Sequence, residues 1–478
     1  MKCDCVIKNG LVCTENGLIH GGLVISDGVI QAVSSDRMLP EADTVYDARG
    51  NIIFPGAIEP HGHFGVDGLS AEQFRKDLIT ETKAAAQGGV TTVCSTTLFG
   101  DRSLVELHKE AMAQVGKLYA NVKFTIPMGN ENHIDEIPEA FNMGVNGFKF
   151  FLGYRGKGSW MFGMSEHYVD TGYMYRAFSE IAKIGEPAFA MIHAEDPAIF
   201  EPLQEKAFKE KSNNYIAAYN RARPGICEAI DLCKAAYIAN EVGCRLYQVH
   251  ISAKEAVDAT AYFKQKGFNI NTETCVHYLL LSSEDDVFFD NEEYSIWAKV
   301  NPPIREKADQ DRLWQGLREG TIDCIGTDHE GYSRETKLKK SHGSFWQAKC
   351  GISDSVSVSL PLMFSEGVNK RRININTLRK IMSENVAKAF GLYPQKGTLA
   401  VGSDADIVII DPDREMVIDH RDSESCSENS IWNGWKIKGM PVATFVGGSL
   451  VAEDYKIVTT EPKGRFLNDR NRVHAGMA

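Results

Sequence analysis

The chain has 478 residues, of which 43% are hydrophobic and 24% charged, and its formal net charge is −12 at pH 7. That is the profile of an ordinary soluble protein with material for a large core, built as up to about three domains or one large barrel with additions. An acidic balance with scattered charges argues against a nucleic-acid footprint and against attraction to anionic membranes.

Apolar runs stop short of the roughly 18 residues a membrane-spanning helix needs. The start, Met1-Lys2-Cys3-Asp4-Cys5, lacks the apolar stretch of a secretory signal. Eleven irregularly spaced cysteines read as reduced thiols, so the expectation is a cytoplasmic protein.

Residues 1–55 read as short strands, with Asn9-Gly10 and Asp27-Gly28 as hairpin signals. An apolar run over 51–58 reads as a buried strand that delivers His61 and His63 at its carboxyl end. Strand side chains alternate, so the two imidazoles point the same way, which suits a divalent transition metal. Further strand candidates follow at 89–95, 122–127, 147–152, 188–193, 245–250, 269–274 and 323–327. Helical stretches such as 78–87 and 229–242 fall between them. From about 395 the short-strand texture returns, for example in Ala405-Asp406-Ile407-Val408-Ile409-Ile410.

Alternating strands and helices predict an α/β fold, a (β/α)8 TIM-like barrel. Both ends of the chain would form a small β-sandwich beside it. The divisions expected are 1–55, 56–394, 395–462 and a tail, 463–478. A doubly wound sheet is the competing architecture, but no glycine-rich phosphate loop follows the first strand. Barrel chemistry belongs at the carboxyl ends of strands. His61, His63, Lys149, His193, His250 and Asp328 all stand there.

Several stretches together resemble the cyclic amidohydrolases of the amidohydrolase superfamily. They are Pro55-Gly56-Ala57-Ile58-Glu59-Pro60-His61-Gly62-His63, Gly88-Gly89-Val90-Thr91-Thr92 and Phe148-Lys149-Phe150-Phe151-Leu152-Gly153-Tyr154. His193-Ala194-Glu195, Val249-His250-Ile251-Ser252 and Gly326-Thr327-Asp328-His329 complete the set. The dihydropyrimidinase and hydantoinase branch is the closest fit.

The resemblance implies two zinc ions bridged by a carboxylated lysine, Lys149 as N6-carboxylysine. His61, His63 and Asp328 would complete one metal's shell, and His193 and His250 the other's. A metal-bridging hydroxide would attack, with Asp328 as general base and Tyr154 hydrogen-bonding the developing oxyanion. Asn301 and Gln347 fall where the family holds the substrate ring through backbone groups. Glu59 replaces the usual aspartate, and His277 and His329 read as supporting residues.

The implied reaction opens the cyclic amide bond of a small cyclic ureide, such as a dihydropyrimidine or a 5-substituted hydantoin. Allantoinase or cyclic-imide hydrolysis is the alternative, and a non-catalytic dihydropyrimidinase-related scaffold a further one. Dihydroorotase-like enzymes carry an arginine two residues after the second histidine. Here His63-Phe64-Gly65 puts an apolar wall, Phe64, in its place. Residues 155–164, rich in aromatics and methionine, are expected to lid the pocket. Relatives of this kind are homotetramers assembled partly through a tail like Lys463-Gly464-Arg465-Phe466-Leu467.

Overall fold

The apolar run leading into His61 is two strands in the computed structural model, which describes residues 3–154 and 169–468, and not the one expected over 51–58. Ile52–Pro55 pairs antiparallel with Ile407–Val417 and parallel with Cys3–Thr14. Ala57–His63 pairs instead with Val90–Thr96, in parallel. Gly56 makes the switch between sheets. Its N–H donates to the Asp406 carbonyl at 2.9 Å, and a Cβ there would lie 2.0 Å from Thr91 Oγ1. No larger residue passes.

The first sheet has nine strands from the two ends of the chain, 3–55 and 407–457. It folds over on itself: Tyr46 packs edge-on against Phe445 with centroids 5.3 Å apart, and Val29 bridges to Asp404. Ile7, Leu23, Ile53, Ile407 and Phe445 fill the interior as the expected small β unit. Asp27-Gly28 is a two-residue hairpin turn with φ 52° and 72°, joining Gly17–Ser26 to Val29–Ser34. Asn9-Gly10 is not a hairpin. It makes a bulge inside Cys3–Thr14, where a Cβ on Gly10 would sit 2.5 Å from Ile53.

The second sheet is wholly parallel and runs Ala57–His63, Val90–Thr96, Asn121–Met128, Gly147–Phe151, Phe189–His193, Leu246–Gln248 and Ile270–Cys275. Cys324–Gly326 pairs with Ile270–Cys275, and His329–Glu330 pairs with Ala57–His63. These are two halves of one last strand, broken at Thr327 and Asp328, and they close the ring. The expected (β/α)8 barrel is the architecture found. Helices such as Ala71–Gln87, Thr171–Ile184 and Ile226–Val242 cover it. Ser70 and Asp170 cap the first two by accepting the N–H groups of Gln73 and Tyr173.

Covered on both faces, barrel strands are continuously buried. All five residues of Gly147–Phe151 are. Phe150 faces outward onto Phe178 and Tyr173 of the helix behind it, with centroids 5.1 and 6.2 Å away. Alternation then turns Lys149 into the barrel.

The tail segment around Gly464 and Phe466 lies on this chain's own barrel, bridging to Leu118 and Val122. All eleven cysteines are free thiols. Among the described residues no helix is long and apolar enough to cross a membrane.

Candidate metal centre and active-site cavity

His61 and His63 reach the mouth of the barrel with their Nε2 atoms 3.1 Å apart. Asp328 Oδ1 stands 3.4 Å from His61 Nε2 and 3.1 Å from His63 Nε2. The three offer donor atoms within 4.8 Å of one another, a group that could hold a metal ion. Lys149 Nζ lies 3.0 Å from His61 Nε2. The His193 and His250 rings stand 4.5 Å apart, and that of His250 lies 5.3 Å from His61. All six residues singled out from strand ends thus converge.

Three of the four histidines have a group behind them. The His61 Nδ1 atom faces Glu273 Oε1 at 3.4 Å, His63 Nδ1 meets Thr96 Oγ1 at 2.7 Å, and His193 Nε2 meets Glu195 Oε2 at 3.0 Å. The opposite ring nitrogen is left for the centre, as metal-binding histidines require. His250 Nδ1 is buried without a hydrogen-bond partner. Converging imidazole nitrogens and a carboxylate make a donor set that fits a divalent transition metal.

Electrostatics match the geometry. Burial, then the Lys149 amine, holds His61 well below its ordinary pKa, and burial with His193 does the same to His250. Burial alone would raise Asp328, but His61, His63 and His250 hold it well below the carboxylate range. Burial pulls Lys149 down to about 8 against the attraction of Asp328 and Glu273. An amine so placed holds far more of its neutral form near physiological pH than an exposed lysine does, and that form is the one able to act as a nucleophile.

Two of these residues also carry backbone strain: His250 has φ 39° and Asp328 φ 49°. The left-handed turn at His250 ends its strand at Gln248, two residues short of the expected 245–250. At Asp328 it breaks the last strand and directs the carboxylate inward.

These groups open into a cavity of about 320 Å³ with Val66, Leu69, Phe99 and Phe151 as its apolar wall. Phe64 is not part of that wall. It is 1% exposed and packs on Phe74 behind the strand, because the residue after an inward His63 must face the helices. Tyr154 and Asn301 do line the cavity, with Asn301 Nδ2 donating to the Tyr154 oxygen at 2.9 Å and Tyr219 O–H donating to Asn301 Oδ1 at 2.5 Å. Gln347 is exposed and lines a neighbouring chamber. Lys349, Cys350 and Gly351, just after it, line the cavity in its place. The expected lid over 155–164 lies outside the described residues.

Residues 52–451 match the Amidohydrolase family. The chain belongs to that family. Over 470 residues this amidohydrolase is 32% identical to an L-hydantoinase of Paenarthrobacter aurescens, with 98% of each chain covered. It is 31% identical to an allantoinase of Escherichia coli, covering 98% of this chain and 99% of that one. Among solved structures it superimposes on an L-hydantoinase (dihydropyrimidinase) from Arthrobacter aurescens with TM-score 0.87 and 30% identity, over 98% and 100% of the two chains.

The roles of two carboxylates in this amidohydrolase's site are invisible to motif reading. Glu273 is one, although a carboxylate inside the buried strand Ile270–Cys275 already demands a partner. Tyr247 O–H donates to its other oxygen at 2.9 Å. Glu195 is another. Arg223 Nε and Nη2 donate to its two oxygens at 2.9 and 2.6 Å, and this pull overcomes burial to hold it at about 2.

Glu59 accepts the His61 and Thr327 N–H groups at 2.9 and 3.0 Å, tying the first strand to the last. His329 supports from behind, hydrogen-bonded to Glu81 at 2.7 Å, and His277 is buried against Tyr278. Asp77, Glu81 and Cys426 also cluster, but hydrogen bonds from Gly65, Gln73, His329 and Ser425 occupy the two carboxylates.

Glu195→Gln keeps the volume but weakens the hold on His193. Metal affinity measured by competition with a chromophoric chelator is expected to fall about 10- to 100-fold. An unchanged affinity would remove Glu195 from the centre.

Proposed function

We propose that this amidohydrolase opens the cyclic amide bond of a cyclic ureide, such as a dihydropyrimidine or a 5-substituted hydantoin, at a dinuclear zinc centre. The observation that carries this reading is the convergence of His61, His63, Lys149, His193, His250 and Asp328 at the floor of a small, largely apolar cavity. Similarity to hydantoinases along nearly the whole chain supports it.

His61, His63 and Asp328 would hold one zinc ion, and His193 and His250 the other. Lys149 would bridge them as N6-carboxylysine: its neutral amine bonds the carbon of carbon dioxide and sheds a proton, leaving one negative charge shared by two oxygens. When bound, such a pair supplies Lewis acidity and brings the acidity of a water toward neutrality.

The chain's own groups then divide the work. Asp328 takes a proton from the attacking water and returns it to the ring nitrogen as the C–N bond breaks. Tyr154, its oxygen fixed by Asn301 and its pKa pushed well above the ordinary value by burial, stays protonated and donates to the carbonyl oxygen as charge develops. Val66, Leu69, Phe99 and Phe151 keep bulk water from the reacting bond.

Allantoin hydrolysis is the second reading, favoured by the 31% identity to an allantoinase. Purified protein, assayed on hydantoin, dihydrouracil, allantoin and succinimide with its metal content measured, is expected to open at least one ureide at about two zinc ions per chain. Metal-replete protein that opens none of them would refute the reading.

A further inference from the structure

A chamber of about 820 Å³ adjoins the catalytic cavity. Tyr154, Asn301, Lys349 and Cys350 line both, so the two spaces share one wall. The cavity alone, about 320 Å³, is already at the small end of ligand pockets and is enough for an unsubstituted ureide ring. The chamber is therefore room for something attached to the ring.

Its inner surface is aromatic and cationic. Phe200, Phe208, Tyr219 and Trp346 line it together with Lys299 and Lys349. Lys299 is 3% exposed and donates to the carbonyls of Trp346 and Ala348 at 3.0 and 2.7 Å, over the Tyr219 and Phe345 rings. Two of its three donors are thus used. Lys349 is half-buried. Its ammonium sits 5.9 Å from the Tyr332 ring centroid and makes no ion pair or hydrogen bond among the described residues.

The remaining charges do not neutralise this pair. Arg223 is held by Glu195. Glu201, Glu205 and Lys209 are exposed, and Glu330 lines the catalytic cavity but not the chamber. A partly desolvated ammonium without a counter-ion is an unfavourable arrangement that an anionic ligand relieves.

We propose that the chamber receives the ring substituent of the substrate, and that Lys349, backed by Lys299, selects a substituent ending in a carboxylate. This rests on the cyclic-ureide reading and narrows it to ureides with an anionic side arm. The cation is in a different place from a clamp beside the histidine pair: it stands on the loop after Gln347, at the junction of the two spaces.

The test compares hydantoin carrying a two-carbon carboxylate arm at carbon 5 with its primary-amide twin. Wild-type protein is expected to favour the carboxylate about tenfold or more in kcat/KM, the strength of a hydrogen bond to a charged group. Lys349→Met should bring that ratio to near one, Lys349→Glu should invert it, and Lys349→Arg should keep it. Using the ratio within each variant cancels any general loss of activity, and melting curves confirm that each variant folds.

A wild-type ratio near one, or a preference that survives in Lys349→Met, overturns the proposal. Opening of unsubstituted hydantoin reports on the ring-opening reading separately. If that fails, calorimetric titration of both probes still decides the chamber. Carboxylate-selective binding lost in Lys349→Met supports it, and equal binding of the two probes overturns it.

Discussion

Lys149→Ala is expected to lower kcat/KM for ring opening by about a thousandfold or more, because on the proposed reading it removes the group that would gather both cations and with it their combined charge stabilisation. The side chain is fully buried, its Nζ is 3.0 Å from His61 Nε2, and Phe148 and Phe150 on either side face away from it. His61, His63 and Asp328 remain as a donor trio, so metal content should fall from about two equivalents to about one rather than to none.

Lys149→Met, which preserves the buried volume, should behave alike and separate lost chemistry from lost packing. Intact-mass spectrometry of the wild-type protein under gentle conditions should show the added mass of one carbon dioxide, absent from both variants. Activity within tenfold of wild type in either variant, at full metal content, would sink the bridging role.

Asp328→Asn is expected to lower kcat by about 10²- to 10⁴-fold, the contribution typical of a positioned proton carrier. The exchange is nearly isosteric and leaves an oxygen beside His61 and His63, so much of the donor geometry survives. It removes the proposed proton acceptor. Two measurements divide Asp328's roles: a fall in kcat at retained metal content marks proton transfer, and a parallel loss of metal marks the trio's dependence on its charge. A variant with wild-type kcat and full metal content would exclude Asp328 from both.

Much of the site was legible because a barrel turns local periodicity into a shared destination. Period-two alternation places His61 and His63 on one face, and it points Lys149 inward once Phe150 is known to face the helices. The same rule explains the miss at Phe64, which follows His63 and must turn away from the cavity. Gln347 lines the adjoining chamber rather than the cavity for a different reason. Which residue of an irregular loop faces a cavity depends on the loop's path, and here the path presents Lys349, Cys350 and Gly351 instead.

Asn9-Gly10 shows the same limit in the small sheet. Its composition satisfies a hairpin, but pairing of Cys3–Thr14 with Gly17–Ser26 continues past it. What decides is the close approach of Ile53, a residue more than forty positions away.

From residue order alone come the barrel class, the six converging donors and the absence of an arginine after the histidine pair, since each depends on spacing along one strand or turn. Only the folded chain decides that Gly56 divides two sheets, that Glu195 and Glu273 aim the histidines, and that Lys349 stands uncompensated between two spaces. Those facts arise from contacts between segments tens to hundreds of residues apart. Burial makes them energetically decisive, because a polar or charged group removed from water is stable only with whatever partner the tertiary fold brings to it.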